Sequence, residues 1–206
     1  MKNYEYIIAS LPVLSKDPSQ GERVDCDAII QEVRDLLSPS DNRLVDTLAE
    51  GFDPKTLSRD FYLKALKSPN RFIREYFAFD LTLRNEKVKY LNTTLGRPSG
   101  QDIVLLDEDK DDVGDVPDEV PAVLSTLALT DILARERGLD DIVWKKIDSL
   151  VTFNYFDMDA ILAFLSKLHI IRRWLSLDEA QGRELFSRLV QEVRSTFKGV
   201  NYDSGK

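Results

Sequence analysis

Few residues in this chain could do chemistry, and their spacing limits what that chemistry can be. One cysteine, Cys26, and one histidine, His169, stand among 206 residues. A lone cysteine excludes an internal disulfide framework and cannot build a thiolate metal cluster. A lone histidine leaves no His–His ligand pair. His169 sits in Lys167-Leu-His-Ile-Ile-Arg-Arg-Trp174, with no Ser or Cys nucleophile arranged around it, so it reads as a helix-surface or interface residue. In the same segment Arg172 and Arg173 place two guanidinium groups beside Trp174, able to donate to carboxylates of a partner or to form ordinary surface ion pairs. Asp80 and Arg84, four residues apart, face each other on a helix and predict an intrahelical ion pair. Asn85, a poor helix former, would cap a break or bond across helices. Cys26 falls beside a helix start, where the helix dipole would lower its pKa. Neither G-x-x-x-x-G-K nor G-x-G-x-x-G occurs, so the common phosphate cradles are absent. These patterns support no catalytic residue and no cofactor, and the chain reads as non-enzymatic.

The charge is concentrated in one place. Residues 102–119 hold nine acids and one lysine, a net of −8, which equals the net charge of the whole chain; the rest is neutral. Starting from Asp107, the acids at 107, 109, 111 and 115 imitate a calcium loop, but Asp112 stands where its sharp turn needs glycine. Starting from Asp109, Gly114 is correctly placed but Val113 and Val120 occupy ligand positions. The run therefore reads as a solvated acidic segment, with Asp107, Glu108, Asp109, Asp111 and Asp112 as candidate partner contacts. Without a basic field, nucleic acid is not an expected partner. The start of the chain, MKNYEYIIASLPVLSKD, has a short apolar stretch broken by Pro12 and reads as mature structure. No stretch approaches the ~20 apolar residues of a spanning helix. The expected location is cytoplasmic, with any membrane association made through a partner.

These residues must be positioned by helices. Apolar residues recur at helical spacing in nearly every segment, and only nine glycines are present. A short helix from Tyr4 is expected to end at Pro12. Asp25 or Asp27 would cap the next helix, and Ser40 or Asp41 a third that Gly51 closes; a fourth would open at Pro54. The longest helix is expected over 70–95, stopped by Gly96, with Ile73, Phe77, Leu81, Val88, Leu91 and Leu95 as its stripe. Beyond the connector, Pro121 would open a helix to Arg137, ended by Gly138 and followed by one capped at Asp140 or Asp141. After the turn FNYFD comes 158–175, and Ser176–Glu179 forms a capping box for a last helix. An internal echo, Y-F-x-Φ-D-x-x-L, pairs Tyr76–Leu83 with Tyr155–Leu162 and suggests two related units. The expected architecture is all-α: a bundle over 1–100, an acidic linker over 101–120, a second bundle over 121–199 and a disordered tail over 200–206.

The segment EYFAFDLTLRNEKVKYLNTTLGR, with its acid Asp80, then Arg84 and Asn85, then Gly96, resembles the rotor-capping C-type (also called d-type) subunit of V/A-type ATPases. The aromatic opening YEYIIASLPVL is similar to that family's first helix. In KKIDSLVTFNYFDMDAILAFLSKLHIIRRW, Ile147 and Asp148 followed by aromatics resemble a second pattern of the family. The whole chain looks like a small uncharacterised bacterial family encoded among V-type ATPase genes. The rotor-capping subunits are longer and built of three helical units, whereas this chain has room for two. The resemblance implies a non-catalytic subunit or assembly factor of a proton- or sodium-transporting rotary ATPase, meeting the central stalk or the membrane ring through protein surfaces. On that reading Asp80, Arg84, Asn85, the acidic run, Arg172 and Arg173 are the partner-facing candidates. The rival expectations are a small-molecule sensor or enzyme with a pocket between the bundles, and a helical adaptor unrelated to rotary ATPases.

Overall fold

The computed structural model describes residues 3–16, 25–106 and 117–176, and every regular element among them is helical. In chain order these are α1 (Tyr4–Ser10), α2 (Cys26–Leu36), α3 (Pro39–Phe52), α4 (Arg59–Leu66), α5 (Arg71–Thr94), α6 (Val120–Leu127), α7 (Ile132–Leu150) and α8 (Met158–Leu175). The all-α expectation holds. The acidic residues Asp107, Glu108, Asp109, Asp111 and Asp112 lie outside the described residues, as do the capping box at 176–179 past Ser176, the last helix and the tail.

Local chemistry sets most helix starts. Asp25, Ser38, Ser58, Asn70, Asp131 and Asp157 each accept a hydrogen bond from a backbone N–H in the first turn of the helix that follows. The third helix is capped by Ser38, not Ser40 or Asp41, because Pro39 fits the first helical position. The fourth opens at Ser58 rather than Pro54, since Asp53 ties residues 53–57 into a turn by accepting from the Lys55 N–H. α5 ends where expected. Gly96 takes a positive φ of 67°, and the N–H groups of Gly96 and Arg97 return to the Thr93 and Asn92 carbonyls, a Schellman termination.

Two expected breaks fail for the same reason. α3 runs through Gly51 to Phe52, and α7 runs through Gly138. These glycines are contact points, not stops. A Cβ on Gly51 would lie 2.1 Å from the Phe77 ring, and one on Gly138 would lie 2.7 Å from Thr126 Cγ2. The break in the 121–150 region falls instead at residues 128–131, where Asp131 restarts the chain as α7. The expected stripe of α5 holds in its first half, where Ile73, Phe77 and Leu81 are buried, but Leu91 and Leu95 are exposed.

The helices on the two sides of the connector do not close separate cores. One buried cluster joins Ile7, Leu48, Phe72 and Phe77 to Ile147, Ile161, Leu162 and Leu168; a second joins Phe79 and Leu83 to Val123, Leu127, Leu139 and Ile142. α8 is buried on several faces and packs against α1, α2, α3, α5 and α7. Burying each such side chain contributes about 1.5–3 kcal/mol. α5 and α7 lie antiparallel: Arg71 donates to the Leu150 carbonyl, while Lys146 lies over the Phe79 ring. The internal echo has no structural counterpart, because Tyr76 and Phe77 are buried in the second turn of α5 whereas Tyr155 and Phe156 are exposed before α8.

Candidate functional site

Where α5, α7 and α8 meet, the structure gathers several residues singled out by their spacing. The Asp80–Arg84 pair forms as expected, with Arg84 Nε donating to Asp80 Oδ2 at 2.7 Å. The same oxygen accepts from the Tyr62 hydroxyl of α4 at 2.6 Å. Burial pushes the Tyr62 and Tyr76 hydroxyls well above the ordinary tyrosine range, reinforced by the negative charge of Asp80, so both keep their protons over the physiological range. Across the cleft Asp140 of α7 accepts from Trp174 Nε1 at 2.6 Å and from the Arg173 guanidinium. Arg137 lies 3.9 Å over the Trp174 ring. The cleft has a volume of about 180 Å³ and also receives Lys87, Glu136 and His169. Its three cations (Arg84, Lys87, Arg173) face three anions (Asp80, Glu136, Asp140), and Asp80 and Asp140 are each held by two donors, so these groups are engaged with one another.

The other candidates also find partners within the chain. Arg172 pairs with Asp27 at 2.9 Å. Asn85 does not bond across helices; its side-chain amide donates to the Val104 carbonyl at 2.9 Å and accepts from the Val104 N–H at 3.0 Å. Asn92 donates to the Gln101 carbonyl at 2.6 Å, and Arg59 donates to the carbonyls of Leu105 and Leu106. Together they strap residues 101–106 along α5 up to the point where the acidic run begins. Asn85→Ala removes both bonds to Val104 and is expected to cost about 1–3 kcal/mol locally. Hydrogen exchange at the Val104 amide should then accelerate by at least tenfold while the α8 core amides keep their protection; unchanged Val104 protection would refute the strap.

Two titratable groups differ from a surface reading. Burial raises the pKa of Cys26 above its ordinary value, overriding the lowering expected at a helix start. His169 stacks on Phe52, with ring centroids 3.9 Å apart and planes 8° from parallel. Burial pulls its pKa down to about 4, assisted by the adjacent positive charges of Arg173 and Arg172. Among the described residues, no group of His, Cys, Asp and Glu is arranged to hold a metal ion.

Sequence reasoning missed the most exposed aromatic group on the described surface. Phe153, Tyr155 and Phe156, in the turn between α7 and α8, are 86%, 66% and 60% exposed. Their signal was present as FNYFD, but the turn residues around them masked it. Exposed rings clustered within four residues are what interface anchors are made of. The loop that presents them is tied to α5 and to the start of α8. Arg71 of α5 donates to the Leu150 carbonyl and to Asn154 Oδ1, and Asn154 in turn bonds the N-cap carboxylate of Asp157.

Compared with known protein families, the chain matches at residues 54–196 the model described as a protein of unknown function (DUF2764). No curated protein and no solved structure matches the chain.

Proposed function

The chain belongs to the DUF2764 family of proteins of unknown function, and we propose that it serves as a non-catalytic subunit or assembly factor of a V/A-type rotary ATPase, acting through protein–protein contacts at the central stalk or the membrane ring. The observation that carries this reading is the exposed trio Phe153, Tyr155 and Phe156. It follows directly on the Ile147-Asp148 segment, where the sequence resembles the rotor-capping subunit, and a braced loop holds it out to solvent. Rings held in this way anchor a partner at small conformational cost. No described helix is long and apolar enough to cross a membrane, so contact with a membrane ring would be made through its protein surface. The acidic run 107–112 would act mainly on encounter rate and specificity toward basic partner surfaces. Asp80, Arg84, Arg172 and Arg173 fit this reading as supports, since each is engaged within the chain.

The test is affinity purification of the tagged chain from gently solubilised native cells, with co-purifying proteins identified by mass spectrometry. Rotary ATPase subunits should be recovered with the unmodified chain and lost with Phe153→Ala/Tyr155→Ala/Phe156→Ala. Removing three anchors is expected to weaken binding by about 100-fold or more. Neutralising Asp107, Glu108, Asp109, Asp111 and Asp112 to their amides should flatten the salt dependence of recovery. A chain that purifies alone, or brings down only proteins unrelated to the ATPase, would overturn the reading. So would equal recovery with the triple variant.

A further inference from the structure

A second concavity lies away from the aromatic loop, where α2 and α3 diverge over α8. It is an open groove of about 370 Å³, within the range of small-molecule sites. Val45 and Leu48 of α3 and Leu165 of α8 are buried and make an apolar floor. One wall is flat: Phe52 and His169 stack ring on ring, and burial keeps the imidazole neutral near pH 7. Two guanidinium groups, Arg34 and Arg172, line the groove from α2 and α8. Each is held by a surface carboxylate, Arg34 by Asp46 at 2.8 Å and Arg172 by Asp27 at 2.9 Å, and those carboxylates are more than half exposed. Exposed ion pairs of this kind add little to stability, so an incoming anion can replace them without leaving a buried charge behind. Asp27 itself and Asp53 also line the groove: Asp27 is exposed and would turn out to solvent when its arginine is taken, and one Asp53 carboxylate oxygen accepts from the Lys55 N–H.

We propose that this groove binds a small aromatic carboxylate, its rings lying on the apolar floor against the Phe52–His169 wall and its carboxylate accepting from Arg34 and Arg172. The flat wall and the floor select a planar apolar body. The two cations select the anion over its neutral analogue, because the neutral amide would leave both guanidinium groups with their surface partners and gain nothing from them. The site shares no residue with the 153–156 loop, and its occupancy does not depend on any partner protein.

The test uses naphthalene-2-carboxylate and its neutral amide as paired probes, titrated into the full chain by calorimetry and by NMR of isotope-labelled Ala and Ile methyls. The acid is expected to bind saturably at one site, at least tenfold tighter than the amide, and to shift the methyls of Ala49 and Ile30. Arg172→Gln and Arg34→Gln should each weaken the acid by about tenfold, the loss of one charge-assisted hydrogen bond, while leaving the amide unchanged. Ala49 is exposed on the groove wall, so Ala49→Trp should cover the floor and abolish binding of both probes while the far-ultraviolet dichroism stays that of the parent. Equal binding of acid and amide, or shifts confined to other methyls, would overturn the proposal. Undiminished affinity in Ala49→Trp would do the same.

Discussion

Gly51→Ala is expected to destabilise the fold clearly, although it adds only one methyl group in a helix. The new Cβ would sit 2.1 Å and 2.3 Å from two carbons of the Phe77 ring and 2.8 Å from Phe61 Cζ. Phe77 has nowhere to retreat. It is fully buried and packs edge-on against Phe61 and Tyr76, with centroids 4.9 and 5.2 Å away. Alanine would contribute up to about 1 kcal/mol of helix propensity, but overpacking a dense core costs about 1–3 kcal/mol and sometimes more. Contacts this short place the change at the upper end, for a net loss of about 2 kcal/mol and a fall of roughly 4–8 °C in the unfolding midpoint of a chain of this size. The double variant with Phe77→Leu identifies the cause. If the clash is with the ring, alanine at 51 should cost much less once leucine stands at 77. Additive losses would mean that the close approach of α3 and α5 is not what the glycine serves.

Acidification should destabilise the fold through His169 before the carboxylates contribute. In the folded chain its pKa lies at about 4, and in the unfolded chain at about 6.5. Above pH 6.5 the imidazole is neutral in both states and adds no pH dependence. Between 6.5 and 4 the unfolded chain takes up a proton that the folded chain refuses, so stability falls as pH falls, and the full loss is reached below 4. The difference amounts to about 2 kcal/mol at pH 5 and about 3 kcal/mol below pH 4. Arg172 and Arg173 oppose the proton, and burial against Phe52 denies it solvation. His169→Phe keeps a flat ring on Phe52 and removes the titration. Denaturant unfolding of both proteins from pH 7.5 to 4.5 should show the parent losing stability relative to the variant through this window. Parallel pH profiles would show that His169 is not held neutral.

How much of this was legible from residues alone depends on the range over which the deciding interaction acts. Caps and periodicity act within one or two turns, and these gave the all-α class, the start of α2 to within the choice of Asp25 or Asp27, the end of α5 at Gly96 and the bounds of α8. The Asp80–Arg84 pair was equally readable, because its spacing lies within one helix. Both glycines that read as helix stops in the sequence were decided elsewhere. Gly51 answers to Phe77, 26 positions along the chain, and Gly138 to Thr126 across the turn between α6 and α7. The roles of Asn85 and the two arginines were set by neighbours that only folding supplies: the Val104 backbone for Asn85, Asp27 for Arg172, and Asp140 for Arg173.

The sequence by itself determined that this is a helical protein with one concentrated acidic segment and without the spacing of a thiol or histidine metal centre. Tertiary structure alone decided that helices from both sides of the connector share their cores, that Phe153, Tyr155 and Phe156 face solvent, and that Phe52 meets His169 to wall the groove beneath Arg34 and Arg172. The division has a physical origin. Helix formation is written in hydrogen bonds and side-chain spacing that span four residues. Which apolar face is buried, and which is left for a partner or a ligand, depends on where distant helices come to rest.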